Sequence, residues 1–367
     1  MKIECLKESL LDGILIAEKA TGKNLTLPIL KCILIKSEKN ILSIRATNLD
    51  LGIEIKIPAH VVEDGVIAVP GNVLHSSIST IYTGSKVTLK SIKDNLVIST
   101  DNSETLINSY PYDDFPTLPI VDKENSFQIQ ASTFLKGLEV VWYSSSTSTI
   151  KPELASVYIY TDDKKILFVG TDSFRLSEKK IIHKDIPEFD SILIPIKNIP
   201  EIIRVLEYLN EDSVEIALNK NQISFSTDKI YLTSRLIDGS FPDYKQIIPK
   251  KHSTEVVLLK QDLINVFKKI NIFSDKFNQV KFYISVTKKK FTLYTKNSDV
   301  GETTEVIQAA LTGEDLDINF NYRYINDCLQ SINSDSISLS FDGIGKPVVI
   351  RGVSDPSYLY LVMPMNR

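Results

Sequence analysis

The sequence predicts an α+β fold built from three similar domains, each with two helices packed on antiparallel sheets. The first observation is a strand–turn–strand pattern that occurs three times, with a lysine in each polar turn. It occupies residues 32–50, 156–174 and 280–298. The second observation is the spacing, because the marker residues Thr47, Thr171 and Thr295 lie 124 residues apart, close to one third of the 367-residue chain. A constant spacing of this length indicates a repeated domain.

The other predicted elements keep the same order in each third. A strand leading into a helix comes first, at residues 3–20, 127–143 and 256–273. A second helix follows an apolar strand and begins at Pro70, Pro195 and Asn321. Alternating apolar and polar residues then predict half-buried antiparallel strands at residues 87–100, 214–227 and 337–352.

Two polar stretches that contain or adjoin prolines, residues 117–126 and 247–254, are typical of linkers. We therefore predict an N-terminal, a central and a C-terminal domain at residues 1–122, 123–250 and 251–367. A long α+β chain whose spacing arose by chance is the alternative.

Composition excludes several classes of protein. Apolar residues make up 43% and charged residues 24% of the chain, and the net charge is −4, which is ordinary for a soluble globular protein and not for a collagen, disordered or membrane protein. No apolar run approaches the ~20 residues of a membrane span. The N-terminus shows no secretory signal, and Cys5, Cys32 and Cys328 lack metal or disulfide spacing, so we expect free thiols in a cytoplasmic protein. An acidic total argues against extensive nucleic-acid coating but permits a local basic surface.

Motifs of common enzymes are missing from the sequence. It contains no phosphate-binding P-loop, no zinc-protease motif and no nucleophile elbow. The nearest lookalike, Gly343-Ile344-Gly345-Lys346, sits between alternating strand segments and is better explained as a hairpin turn. We therefore expect a protein without catalytic residues, bound metal or cofactor.

Four segments resemble one known family. They read NLTLPIL at 24–30, GTDSFRL at 170–176, RLIDGSFPDY at 235–244 and YLVMPM at 360–365. In combination and in this order they are similar to the bacterial DNA polymerase III beta subunits, the sliding clamps. The resemblance implies that two three-domain subunits close head to tail into a six-domain ring. Such a ring encircles duplex DNA and tethers the replicative polymerase, giving processivity without chemistry of its own.

The resemblance also implies a groove that binds an extended partner peptide with hydrophobic anchors. Its apolar walls would come from branched side chains, its rigidity from prolines, its adaptability from Met363 and its polar donors from the fork of Arg175. The matching positions are Leu154, Thr171, Phe174, Arg175, Leu176, Pro242, Gln246, Ile247, Pro347, Leu361, Val362, Met363, Pro364 and Met365.

Further positions are implied for DNA and for the second subunit. Sequence-independent sliding needs weak phosphate contacts. The family's DNA contacts match Asn24, Asn72, Ser148, Pro152, Glu153, Lys197 and Phe277. The subunit interface would pair two sheet edges, residues 103–109 and 295–305, and would contain Leu106, Ile272 and Phe273.

Partners implied by the resemblance are double-stranded DNA, a second copy of the chain, the catalytic subunit of the replicative polymerase and an ATP-dependent clamp loader. Translesion polymerases, mismatch repair proteins and DNA ligase are expected as well, in the bacterial cytoplasm at the nucleoid. Two other hypotheses stay open at this point. One is a repetitive α+β scaffold or peptide-binding module that does not act on DNA, and the other is a hydrolase that uses Asp172 or Asp243 in a cleft between domains.

Overall fold

The computed structural model describes residues 1–22, 26–124, 126–184, 186–209 and 212–365. Contacts divide the chain into two compact units. Unit 1 comprises Met1–Leu135 with Lys197–Leu236, and unit 2 comprises Lys136–Ile196 with Ile237–Arg367.

Six helices and twenty-six strands form within the described residues. The first third contains β1 (Lys2–Leu6), α1 (Lys7–Lys19), β2 (Cys32–Glu38), β3 (Ile41–Thr47), β4 (Leu51–Pro58), β5 (His60–Glu63), β6 (Gly65–Pro70), α2 (Gly71–Ser79), β7 (Lys86–Ile92), β8 (Asn95–Ser99) and β9 (Glu104–Ile107). The second third contains β10 (Phe127–Gln130), α3 (Ala131–Glu139), β11 (Ser156–Asp162), β12 (Lys165–Thr171), β13 (Arg175–Ile182), β14 (Ile192–Pro195), α4 (Ile199–Leu209), β15 (Ser213–Leu218), β16 (Gln222–Ser226) and β17 (Ile230–Arg235). The last third contains β18 (Thr254–Leu259), α5 (Lys260–Phe273), β19 (Gln279–Ser285), β20 (Lys290–Asn297), β21 (Gly301–Ile307), β22 (Ala309–Gly313), β23 (Leu316–Asn321), α6 (Tyr322–Leu329), β24 (Ser336–Phe341), β25 (Val348–Gly352) and β26 (Tyr358–Val362).

Each third therefore runs strand, helix, a group of strands, helix and three strands, as the sequence predicts. The three predicted hairpins are confirmed as the antiparallel pairs β2–β3, β11–β12 and β19–β20. The two-residue turns of the first two hairpins need a left-handed backbone conformation, which Asn and Asp tolerate better than most residues. Lys39 and Asn40 have φ of 51° and 62°, and Asp163 and Lys164 have φ of 46° and 57°.

Each unit contains two antiparallel sheets. In unit 1 a five-stranded sheet has the order β5-β1-β7-β8-β9, and an eight-stranded sheet has the order β10-β15-β16-β17-β4-β3-β2-β6. In unit 2 a nine-stranded sheet has the order β14-β11-β12-β13-β26-β25-β24-β18-β22, and a four-stranded sheet has the order β21-β20-β19-β23. The pairs β4–β17 and β13–β26 join strands from neighbouring thirds of the chain. The boundaries of the three domains stay a prediction.

Helices bury one face on these sheets. In α1 the side chains of Leu10, Ile14 and Ala17 are fully buried at spacings of three and four residues, and the helix packs on β3 and β4. In α6 the side chain of Asn321 accepts a hydrogen bond from the Arg323 N–H at 3.0 Å, which caps the helix where the sequence predicts its start. Among the described residues, every helix is too short or too polar to cross a membrane.

Candidate functional site

A tight turn at residues 171–175 connects β12 to β13 in unit 2. The Thr171 hydroxyl donates to the Arg175 carbonyl at 2.7 Å, and one Asp172 carboxylate oxygen accepts from the N–H groups of Phe174 and Arg175 at 2.9 and 3.0 Å. Ser173 has φ of 78°. These bonds satisfy the backbone of the turn and leave the Phe174 side chain 60% exposed.

Glycine is required just before this turn. A Cβ atom at Gly170 would lie 2.4 Å from the Val141 carbonyl oxygen, far inside van der Waals contact. The glycine of the GTDSFRL segment thus lets β12 approach the chain that follows α3.

The first third repeats the turn 124 residues earlier, in unit 1. The Thr47 hydroxyl donates to the Leu51 carbonyl at 2.9 Å, Asn48 accepts from the Asp50 and Leu51 N–H groups, and Leu49 has φ of 78°. The threonines that mark the repeat in the sequence therefore make the same hydrogen bond, to the carbonyl four residues later, in these two thirds.

The end of the chain lies beside the turn at 171–175. Strand β26 pairs with β13, with Leu361 opposite Leu176 and Val362 opposite Arg175. Beyond the strand, the Met363 N–H donates to the Phe174 carbonyl at 2.8 Å, and the Met365 N–H donates to Asn319 at 2.8 Å. Met363, Pro364 and Met365 are half-buried. The structure thus brings the predicted C-terminal and turn residues together.

The floor of this region is apolar. Leu176 and Leu361 are 0% and 1% exposed and pack in one cluster with Tyr244, against which Met363 also packs. Val362 is buried in the separate main core of unit 2, because neighbouring residues of a strand point to opposite faces. The structure therefore does not place Val362 on the same surface as Leu361.

Other predicted groove positions differ in exposure. Leu154, Thr171 and Pro347 are buried, and Pro347 directly precedes β25, whose Val348 pairs with Val362. Pro242, Gln246 and Ile247 are exposed and belong to the wall segment, which we define as residues 241–247.

Aromatic side chains hold the wall segment on the sheet. Phe241 stacks on Tyr158 with ring centroids 4.5 Å apart and planes 1° from parallel. The Tyr244 hydroxyl donates to a carboxylate oxygen of Glu178 at 2.5 Å and lies 2.8 Å from the Tyr160 hydroxyl. Burial and the neighbouring Glu178 together raise the pKa of Tyr244 well above its ordinary value, so the hydroxyl remains a donor.

Arg175 differs from the expectation that its fork is open to a peptide. Its Nε donates to Asp172 at 3.0 Å, and its two terminal nitrogens donate to Asp327 at 2.6 Å and to the Tyr143 carbonyl at 2.8 Å. The guanidinium carbon also lies 4.7 Å from the centroid of the Tyr324 ring, and the side chain is 14% exposed. These contacts tie the turn at 171–175 to α6.

Several residues around the predicted groove were not predicted from the sequence. They are Tyr143, Tyr158, Tyr160, Glu178, Phe241, Tyr244, Tyr324 and Asp327. One signal was available for Glu178, because strand alternation places it on the same face as the buried Leu176. Asp327 offered none, since it lies 152 residues from Arg175 in the sequence.

The predicted DNA contacts fall in both units. Asn24 lies outside the described residues. Asn72 is exposed on α2, and Lys197 is 61% exposed while paired with Asp50 at 2.5 Å, both within unit 1. In unit 2, Ser148, Pro152 and Glu153 lie on one loop, and Phe277 is 57% exposed.

The predicted subunit edges are free edges within the described residues. Strand β9 ends the five-stranded sheet of unit 1, inside the predicted stretch 103–109, and Leu106 is 57% exposed. Strand β21 ends the four-stranded sheet of unit 2, whereas the predicted stretch 295–305 begins in the inner strand β20. Ile272 on α5 is 60% exposed, and Phe273 is half-buried. A cavity of about 310 Å³ adjoins β9 and is lined in part by Ile81, Tyr82 and Thr105.

The described residues show no evident metal site. Among the residues that the structure describes, no group of histidine, cysteine, aspartate or glutamate side chains is arranged to hold a metal ion. Cys5, Cys32 and Cys328 are buried free thiols.

Comparisons with known proteins agree along the whole chain. Models of the N-terminal, central and C-terminal domains of the DNA polymerase III beta subunit match residues 1–119, 128–243 and 245–366. The beta sliding clamp of Synechococcus elongatus is 26% identical over all of this chain and 99% of its own length, and that of Bacillus subtilis is 25% identical over the full length of both.

Solved structures show the same fold. The DNA polymerase III beta subunit of Thermotoga maritima superimposes with a TM-score of 0.94 at 27% identity, covering all of this chain and 99% of that one. A sliding clamp from Pseudomonas aeruginosa, crystallised bound to griselimycin, gives a TM-score of 0.94 at 23% identity over the full length of both chains. The predicted fold class and the predicted resemblance are confirmed: the chain belongs to the DNA polymerase III beta subunit family.

Proposed function

We propose that this chain is a non-catalytic sliding clamp. Two copies close head to tail into a ring around duplex DNA and tether the replicative polymerase, which gives processivity. The observation that carries the proposal is the ordered match of all three family domains over the whole chain, with no large insertion or loss. The three domains are proposed to lie at residues 1–122, 123–250 and 251–367.

The free sheet edges support closure of the ring. An edge strand exposes N–H and C=O groups that another edge can satisfy. Strand β9 of one copy would pair with β21 of the other, and the exposed Leu106 and Ile272 would lose their solvent contact beside that pair. A head-to-tail interface is heterologous and must close after a whole number of subunits, which we propose to be two.

Weak phosphate contacts suit a protein that slides. Lys197 pairs with Asp50 and Lys269 with Glu305, and both lysine side chains are 61% exposed. An exposed ion pair contributes about 0–1 kcal/mol, so such a lysine exchanges its carboxylate for a phosphate at little cost. We propose that Lys197, Asn72, Ser148, Pro152, Glu153 and Phe277 lie along the DNA path, and that the ring's hold on DNA is mainly topological.

The groove formed by the turn at 171–175, the C-terminal residues and the wall segment is proposed to take the partner peptide. The buried Leu176 and Leu361 form its floor, and the exposed Phe174 and Ile247 with the half-buried Met363 form its rim. Partners that use it are the polymerase catalytic subunit, the ATP-dependent loader and, by the same peptide chemistry, translesion polymerases, mismatch repair proteins and DNA ligase. We expect griselimycin, which binds the Pseudomonas aeruginosa clamp, to bind here as well.

Two rival functions have less support. A scaffold that does not act on DNA does not explain the whole-chain family match. A hydrolase based on Asp172 would need a free carboxylate, yet both oxygens of Asp172 are bonded within the turn and to Arg175. The carboxylate of Asp243 accepts from Gln246 at 2.8 Å in the exposed wall segment.

The test is stimulation of the cognate replicative polymerase on primed circular DNA, with loader and ATP. Phe174→Ala combined with Met363→Ala should abolish most of the stimulation while the solution mass stays that of a dimer. Leu176 is a poorer target because truncating a fully buried leucine costs about 2–5 kcal/mol of stability. The matched control is Ile182→Ala, which removes a 74% exposed side chain at the far end of β13. Full stimulation by the double variant would show that the polymerase does not depend on the groove. A monomeric wild-type protein would contradict the proposed ring.

A further inference from the structure

A buried carboxylate lies beneath the wall segment. Glu178 is 4% exposed, and on β13 it shares a face with Leu176, two residues earlier. A buried carboxylate is costly unless hydrogen bonds or opposite charge compensate it. Here the compensation comes from Tyr244 at 2.5 Å and from Lys180 at 3.1 Å.

The Tyr244 hydroxyl is the contact that connects Glu178 to the groove. Tyr244 begins the short 3₁₀ helix Tyr244–Ile247, which carries Gln246 and Ile247 to the rim. The same hydroxyl lies 2.8 Å from the Tyr160 hydroxyl, and Tyr160 lies under the Lys245 ammonium at 5.3 Å. A run of polar contacts therefore leads from the wall segment down into the sheet.

Apolar contacts anchor this segment at the Phe241 ring and at the buried Tyr244 ring. Phe241 stacks on Tyr158 at one end, but Pro242, Gln246 and Ile247 are exposed. A hydrogen bond has a definite length and direction, whereas apolar contact tolerates sliding. A charge-assisted hydrogen bond to a buried acceptor is also stronger than a neutral one. The bond between Tyr244 and Glu178 thus adds a directional contact to the apolar packing of the wall segment.

We propose that Glu178 and Tyr244 are positioning residues of the groove: their buried hydrogen bond sets the separation between the wall segment and the floor, and so sets the affinity for an apolar side chain inserted between them. The inference rests on the proposed function of the groove as a peptide site. Neither side chain needs to touch the ligand.

The experiment measures the Kd of griselimycin for the full-length dimer and hydrogen exchange at the amides of residues 245–247. Tyr244→Phe removes one oxygen atom and should raise the Kd about tenfold and speed exchange at these amides. Glu178→Gln keeps an acceptor for the tyrosine and should raise the Kd less than about threefold. Combining both changes should add little to Tyr244→Phe, because the two residues act through one bond.

The matched control is Tyr231→Phe in unit 1. Its hydroxyl likewise holds a chain segment on a sheet, donating to the Pro119 carbonyl at 2.8 Å, so it should lower stability without changing the groove Kd. Wild-type Kd and wild-type exchange in Tyr244→Phe would overturn the proposal. Faster exchange with an unchanged Kd would overturn it too, because the bond would then be structural only. Failure of the wild type to bind griselimycin would instead count against the proposed function of the groove. Hydrogen exchange at residues 245–247 would still decide whether the bond between Tyr244 and Glu178 holds the wall segment.

Discussion

Replacing Arg175 with alanine should destabilise the protein more than it weakens any partner contact. The side chain has three acceptors within the chain, Asp172, Asp327 and the Tyr143 carbonyl. A hydrogen bond to a charged group contributes about 1.5–3 kcal/mol. We assign this full contribution to the bond with Asp172, because that carboxylate is only 16% exposed. Asp327 is 42% exposed, so its ion pair is screened and contributes about 0.5–1 kcal/mol.

The sum for Arg175→Ala, with about 1 kcal/mol for the carbonyl that loses its donor, is a loss of about 3–5 kcal/mol. Arg175→Lys keeps one ion pair and should lose about half as much. Urea unfolding measures the contribution of Arg175 to stability, and griselimycin binding under folding conditions measures its contribution to ligand binding. Together they separate the two roles. Arg351→Ala is the control, because it removes an exposed arginine from β25 of the same unit and should change stability by less than about 0.5 kcal/mol. An Arg175→Ala protein that unfolds like the wild type yet loses ligand binding more than tenfold would refute this reasoning and restore Arg175 as a direct ligand.

Two further predictions concern the subunit edge and the thiols. Leu106→Asp should convert the dimer to a monomer in light scattering, since it buries a charge beside the proposed edge pair. The control Val353→Asp, at a 59% exposed position in unit 2, should leave the dimer intact. A stable Leu106→Asp dimer would contradict the proposed interface. Burial raises the pKa of the Cys5 and Cys32 thiols from about 9.0 to about 11, so at pH 8 the folded protein should react with Ellman's reagent far more slowly than the urea-unfolded chain. Because the folded pKa lies above the unfolded one, these thiols favour folding below pH 9, and that contribution is lost between about pH 9 and 11; rapid labelling of the folded protein would show that the thiols are accessible.

The repeat was the part of the fold most accessible from sequence. Polar turns between apolar strands and a constant 124-residue spacing are local signals, and they located the hairpins and both helices of each third. The predicted edge stretch 295–305 begins inside β20 and crosses the turn at residues 298–300, so only residues 301–305 of it lie on the edge strand β21.

Contacts between distant residues were not accessible in the same way. The sequence shows that Arg175 follows Asp172, but not that α6 returns Asp327 to it or that Tyr143 offers a carbonyl. Likewise the resemblance placed Leu361 and Val362 in one groove, although strand alternation already implies that they point to opposite faces. Side-chain partners that are far apart in sequence require the fold before they can be named.

The most direct measurement follows the loaded protein on DNA of defined topology. The clamp is loaded onto a nicked circular plasmid with loader and ATP, free protein is removed, and the retained fraction is measured at about 0.2 M salt, where simple phosphate contacts are much weakened. A mechanical link predicts retention on the circle and loss within minutes after a restriction enzyme opens it. Equal retention on the circular and the linear form would show that the protein holds DNA by affinity, and the account of a closed sliding ring would be wrong.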